Sequence, residues 1–222
     1  MSYILNIESS TTNCSISLSY DGKVISLKEN NDEKYSHSTN LHSFIKDVLT
    51  KSNVSLQKLS AIAVSKGPGS YTGLRIGVAA AKGLCYALDI PLISISTLLV
   101  LAKQIKFKKE GLIIPVMDAR RNEVYSAVYD NSYNKLRKDL PEIINKDSFC
   151  ELVLKNKLYF IGNGQEKCIR LIKKNPNLIF SSNSTFPSAN EMASLSFEKF
   201  NNSKFEDIAY FEPDYLKEFI IR

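Results

Sequence analysis

The chain has 222 residues, 44% of them hydrophobic and 23% charged, with a formal net charge of +6. That balance suits a globular protein able to bury a sizeable core and excludes a disordered polyelectrolyte. No apolar run reaches the ~20 residues a membrane helix requires, and the opening Met-Ser-Tyr-Ile-Leu-Asn-Ile-Glu lacks the basic region of a secretory leader. Cys14, Cys85, Cys150 and Cys168 form no Cys-x-x-Cys pair. The expectation is therefore a reduced, cytoplasmic protein without a disulfide framework or zinc site.

Residues 3–7 predict a strand, 9–13 a polar turn, and the alternation of Cys14, Ile16 and Leu18 with serines a half-buried second strand. Asp21-Gly22 is a hairpin signal leading into a third strand through Val24, Ile25 and Leu27. Leu41, Phe44, Ile45, Val48 and Leu49 then fall on one face of a helix that Ser36 or Ser38 could cap. Residues 59–64 read as a buried parallel strand. After the loop Gly67-Pro-Gly-Ser-Tyr-Thr-Gly73 comes a helix over about 72–88, capped by Ser70 or Thr72, then a strand at 92–95 and a helix at 97–105.

The second half begins the same way. A strand at 112–117, the turn Asp118-Ala-Arg-Arg-Asn-Glu123 and an alternating strand at 124–129 repeat the opening pattern. Glu8 corresponds to Asp118, and Tyr20-Asp21-Gly22 to Tyr129-Asp130-Asn131. A strand at 158–161, the turn Gly162-Asn-Gly164, a helix to about 173, a strand at 179–180 and a helix at 189–200 follow. No linker composition separates the halves, which predicts two fused lobes, 1–108 and 109–222, the last segment being free to return to the first lobe.

Two lobes that each open with strand, acidic-polar turn and strand resemble the actin, hexokinase and Hsp70 (ASKHA) class, an α/β fold of paired ribonuclease-H-like lobes. In that class the turns hold phosphates, a task suited to turn amides and hydroxyls. The turn Glu8, Ser9, Ser10 and Thr11 is accordingly a candidate nucleotide contact. The run Lys66-Gly-Pro-Gly-Ser-Tyr-Thr-Gly-Leu-Arg-Ile-Gly-Val-Ala-Ala-Ala-Lys-Gly-Leu84 is sharper: it resembles the signature of the TsaB family, also called YeaZ. Ile-Glu-Ser-Ser-Thr (7–11), Met-Asp-Ala-Arg-Arg-Asn-Glu-Val-Tyr (117–125), Gly-Asn-Gly (162–164) and Glu-Pro-Asp-Tyr-Leu (212–216) resemble further family blocks, in family order. Glu8 stands where family members often carry Asp.

On spacing alone, the small residues Gly73, Gly77, Ala80 and Ala81 either pack inside their own lobe or let a partner helix approach closely. The resemblance implies the second, with a partner or homodimer surface of Leu41, His42, Ile45, Gly73, Arg75, Gly77, Ala80 and Ala81. It also implies a non-catalytic subunit of the complex that attaches threonylcarbamoyl to adenosine 37 of tRNA. The partners it implies are a TsaD-type catalytic subunit and a TsaE-type ATPase, with tRNA touched only indirectly or weakly. No cofactor is expected in the chain itself, although ATP or ADP at the surface shared with TsaD remains open.

Rival chemistries lack their residues. No Gly-Lys-Ser or Gly-Lys-Thr of a Walker A loop is present, and Gly67, Gly69 and Gly73 miss the Rossmann spacing by one residue. The only histidines, His37 and His42, lie five apart, about 140° around a helix, whereas two ligands for one ion want a spacing of four. No metal site is therefore expected. A serine peptidase acting on its sister protein would need a Gly-x-Ser-x-Gly elbow that Gly67-Pro-Gly-Ser-Tyr does not supply. A small-molecule kinase could use Glu8 or Asp118 as base, but 222 residues is short for one. The excess charge reads as a solvated lysine-rich surface, its densest run being Lys106, Lys108 and Lys109.

Overall fold

A computed structural model describes residues 1–31, 37–106, 110–182 and 185–217. The chain divides into two units: Met1–Val100 with Pro187–Asp214, and Leu101–Phe186 with Tyr215–Arg222. This corrects the expected limits of 1–108 and 109–222. The division falls after Val100, and the segment from Pro187 to Asp214 belongs to the first unit.

In the first unit, β1 (Tyr3–Glu8), β2 (Asn13–Tyr20) and β3 (Lys23–Asn31) form an antiparallel meander. Parallel strands β4 (Leu59–Gly67) and β5 (Leu92–Ser96) extend it to the order β3-β2-β1-β4-β5. Helices α1 (His37–Lys51) and α2 (Tyr71–Leu88) contribute Leu41, Val48, Val78 and Ala81 to the core on one sheet face, where Leu5, Ile7, Ile16, Ile62 and Val64 meet them. The opposite face carries Ile4, Ala61, Ala63, Ile93 and Ile95 against Ala189, Met192 and Leu195 of the C-terminal helix and Val100 of α3 (Thr97–Ala102). Ser38 lies in the first turn of α1, and the alternative cap Ser36 lies outside the described residues.

The serine face of β2 departs from expectation. Ser15, Ser17 and Ser19 are fully buried rather than half-exposed, because a helix covers them. Ser17 Oγ donates to Ala189 O at 2.7 Å, Ser15 Oγ accepts from Ala189 N at 2.9 Å, and Ser19 Oγ donates to Ile4 O at 3.2 Å. A buried hydroxyl is tolerated when it is bonded, so alternation with serine reads here as a two-sided interior.

The second unit repeats the topology. β6 (Leu112–Asp118), β7 (Glu123–Tyr129) and β8 (Lys135–Ile143) form the meander, and β9 (Leu158–Ile161) and β10 (Leu178–Phe180) run parallel to β6, in the order β10-β9-β6-β7-β8. Helices α4 (Cys150–Val153) and α5 (Gln165–Leu171) supply Val153 and Cys168 to its core beside Ile114, Val116, Val124 and Phe160. The last helix, α6 (Ala189–Asn201), returns to the first unit. Each unit is thus a ribonuclease-H-like α/β lobe with the same strand order. Glu8 and Asp118 are the last residues of β1 and β6, and Tyr20 and Tyr129 the last of β2 and β7. Strand β8 escaped the sequence reading because its opening run, Lys-Leu-Arg-Lys-Asp, is mostly charged and shows little apolar periodicity.

Candidate functional site

The two repeat turns have opposite surroundings. Glu8, Ser9, Ser10 and Thr11 are all buried. Glu8 Oε1 accepts from Ser10 N at 2.7 Å, and the Ser10 carbonyl accepts from Ser70 N, the N-cap of α2, at 2.7 Å. Ser70 Oγ in turn caps Gly73 N at 3.3 Å. Burial pushes the Glu8 carboxyl above its ordinary value, only partly offset by Ser10 and Ser65. The turn after β6 is open: Asp118, Arg120, Arg121 and Asn122 are exposed. Asp118 Oδ1 accepts from Arg120 N at 2.6 Å and from Lys167 Nζ at 2.8 Å, and Asn163 Oδ1 accepts from Asp118 N. Arg120 and Arg121 both adopt left-handed backbone, φ 67° and 47°, which non-glycine residues adopt sparingly.

Helix α2 has two faces. Inward lie Gly73, Leu74, Gly77, Val78, Ala81 and Cys85. A methyl group at Gly73 would collide with the Ser9 carbonyl, and one at Gly77 with the Ser9 hydroxyl. Outward lie Thr72, Arg75, Ala79, Gly83 and Tyr86, spaced three and four residues apart. A side chain at Gly83 would meet nothing within 4 Å, and Tyr86 is 85% exposed. The Arg75 guanidinium lies 4.1 Å from the Tyr71 ring centroid. Beside this face is a groove of about 780 Å³ lined by His42, Ile45, Lys46, Leu49, Leu56 and Leu84, among others. Among the described residues, no group of three or more His, Cys, Asp and Glu is placed to hold a metal ion, and no helix is long and apolar enough to cross a membrane.

Residues 31–218 match the family described as TsaD, tRNA N6-adenosine threonylcarbamoyltransferase. The chain is 32% identical to the tRNA threonylcarbamoyladenosine biosynthesis protein TsaB of Buchnera aphidicola subsp. Baizongia pistaciae, over 97% of this chain and 98% of that one. The chain belongs to the TsaB family. The TsaB protein of Escherichia coli is 30% identical over 96% of this chain and 94% of its own length. A Pseudomonas aeruginosa protein described as similar to the peptidase YeaZ shares the fold, with a TM-score of 0.86 at 24% identity over 98% of this chain and 100% of that one.

Within this TsaB-type chain the predicted surface separates into two sets. His42 and Arg75 are exposed and Ala80 is half-buried. Leu41, Gly73, Gly77 and Ala81 are instead buried in their own unit, which corrects their assignment to the partner surface, while Ile45, also buried, lines the groove. For Gly73 and Gly77 the physical reason is Ser9, which fills the space that the missing side chains leave; Leu41 and Ala81 pack into the core of the first unit. The outward residues Ala79, Gly83 and Tyr86 were missed, although their spacing with Thr72 and Arg75 is the same periodicity read one step around the helix. The turn at Glu8–Thr11, offered as a nucleotide contact, is likewise covered, since Ser9 and Ser10 abut Gly73 and Gly69. For the two histidines, only His42 has a described side chain.

Proposed function

We propose that this TsaB-family chain is a non-catalytic scaffold and activator subunit in the formation of threonylcarbamoyladenosine at adenosine 37 of tRNA. On this reading it works in the cytoplasm, binds a TsaD-type catalytic subunit and enables recruitment of a TsaE-type ATPase. Attack of the adenine amine on threonylcarbamoyl-AMP takes place on the TsaD-type partner. Alone, the chain pairs with a second copy through the same surface.

The observation that carries the reading is the outward face of α2. Eighteen residues make a helix about 27 Å long. Its exposed face offers Ala79 and Gly83, over which another helix can approach closely, and ends in Tyr86, a large aromatic group of the kind that anchors protein interfaces. The groove toward α1 continues that surface with Ile45, Leu49 and Leu84. Nucleotide, on this reading, belongs to the surface shared with the partner; burial of Glu8–Thr11 supports that assignment over a site at the first turn.

The test is association of the purified chain with a TsaD-type protein, read by sedimentation. Gly83→Trp adds a large side chain in open space, so the fold survives and the affinity falls at least about tenfold. Unchanged affinity removes this face from the interface. A parallel assay gives the chain tRNA, threonylcarbamoyl-AMP and metal without TsaD; turnover there sinks the non-catalytic assignment.

A further inference from the structure

We infer that the second unit binds RNA directly, through a cationic edge at the N-terminal ends of its parallel strands β6, β9 and β10. The net charge of +6 is unequally divided. Residues 101–186 carry 16 Lys and Arg against 9 Asp and Glu, whereas residues 1–100 and 187–214 together carry 11 against 13. A lysine-rich composition acting uniformly would raise both units. One unit is instead slightly acidic and the other strongly basic, the asymmetry expected of a polyanion-binding lobe.

The topology gathers the cations at one edge. Because β6, β9 and β10 are parallel neighbours, the segments entering them lie side by side, ~4.8 Å from strand to strand. Lys155 and Lys157 precede β9, and Lys173 and Lys174 precede β10, with Arg170 in the last turn of α5. Lys146 joins them, since its carbonyl accepts from Lys173 N at 3.0 Å. The Lys157 carbonyl accepts from Leu112 N at 2.8 Å, tying the entries of β9 and β6 together, and exposed Lys106 precedes β6. All of these side chains are exposed, and none has an ion-pair partner among the described residues, in contrast to Lys135, Arg137, Lys167 and Lys217 of the same unit. The carboxylates in the same segments are Glu110, Asp147, Glu151 and Glu166, four against seven cations. Lysines anchored on backbone segments that hydrogen bonds tie together concentrate positive charge at this edge, and each phosphate they neutralise releases counterions. The edge lies at the opposite end of β6 from the Asp118 turn and includes no residue of the α2 face.

RNA is favoured over other polyanions because the relatives are named for tRNA threonylcarbamoyladenosine biosynthesis; the choice of tRNA as probe rests on the proposed function. The test uses the full chain alone with a fluorescent unmodified tRNA transcript, by anisotropy from 50 to 200 mM salt. Binding is expected to weaken steeply with salt. The triple variants Arg170→Gln/Lys173→Gln/Lys174→Gln and Lys146→Gln/Lys155→Gln/Lys157→Gln each lower affinity about tenfold and reduce the salt slope by about two to three. The control Lys23→Gln/Lys51→Gln/Lys204→Gln, exposed lysines of the first unit, leaves affinity unchanged. The inference is overturned if the wild type ignores tRNA at 50 mM salt, if both edge variants bind like wild type, or if the control loses as much. Vesicles of anionic phosphatidylglycerol bound in preference to tRNA overturn it as well. No partner protein is present, so failure here leaves the α2 interface intact, and failure there leaves this edge intact.

Discussion

Ser9 Oγ donates a hydrogen bond to the Gly73 carbonyl at 2.9 Å, while the Ser9 carbonyl occupies the space that a side chain at Gly73 would need. One residue of the β1–β2 turn therefore reads the absence of a Cβ in α2. Glycine in a helix interior costs roughly 1 kcal/mol relative to alanine, and here the contact with Ser9 requires it. Gly73→Ala and Gly77→Ala should each destabilise the chain by about 1–3 kcal/mol, the usual cost of overpacking. Gly83→Ala, on the open side of the same helix, should be neutral or stabilising by up to ~1 kcal/mol. Urea denaturation of the three variants separates the faces, and equal effects at Gly73 and Gly83 would contradict the assignment.

Ser196 Oγ donates to Asn6 Oδ1 at 2.7 Å between two fully buried side chains 190 residues apart. Asn6 Nδ2 meanwhile donates to Ser17 Oγ and Ser19 Oγ, both at 3.2 Å. Ser196→Ala leaves a buried amide oxygen without its donor, at a cost of about 1–3 kcal/mol. Hydrogen exchange should show the loss concentrated in α6, and unaltered protection of that helix would show that the bond does not hold it.

Glu8 is a carboxyl whose folded-state value is raised by burial. The unfolded chain loses its proton at the ordinary glutamate value, and the folded chain at a higher pH. Between those values the folded state holds the extra proton, so this group's contribution to stability is fullest in acid and falls as pH rises through the window. Glu8→Gln keeps an acceptor for Ser10 N and removes the titration. The variant should be more stable than wild type at pH 8, with the difference shrinking toward pH 4. Thermal midpoints across that range check it, and a constant difference would contradict it.

Of the four free cysteines, Cys150 alone is exposed. Burial pushes the Cys14 thiol up to about 11 and those of Cys85 and Cys168 up to about 12. The thiolate is the reactive form, so a disulfide reagent at pH 8 should label one thiol per native chain rapidly and four after denaturation. Rapid labelling of a second native thiol would contradict the burial.

Much of the fold is legible in the sequence. The hairpin at Asp21-Gly22, the apolar stripe Leu41-Phe44-Ile45-Val48-Leu49 and the capped entry at Ser70 are local signals, each set by residues within about two turns of one another. The repeat of strand, acidic turn and strand was readable because β1–β2 and β6–β7 are each contiguous in the chain. Strand β8 was not readable, because its opening Lys-Leu-Arg-Lys-Asp is mostly charged and carries little apolar alternation.

Most of the elements, their duplication and the family are therefore carried by near neighbours along the chain. Tertiary structure alone decided which side of α2 is free, since Gly73 and Gly83 look alike until Ser9 is seen to fill the space beside one of them and nothing the other. It also decided that the serines of β2 are interior and that α6 belongs to the first unit, through bonds from Ser17 to Ala189 and from Ser196 to Asn6. The physical reason is common to these cases: burial of a small or polar side chain depends on what packs on it, and here the packing group comes from 64 to 190 residues away.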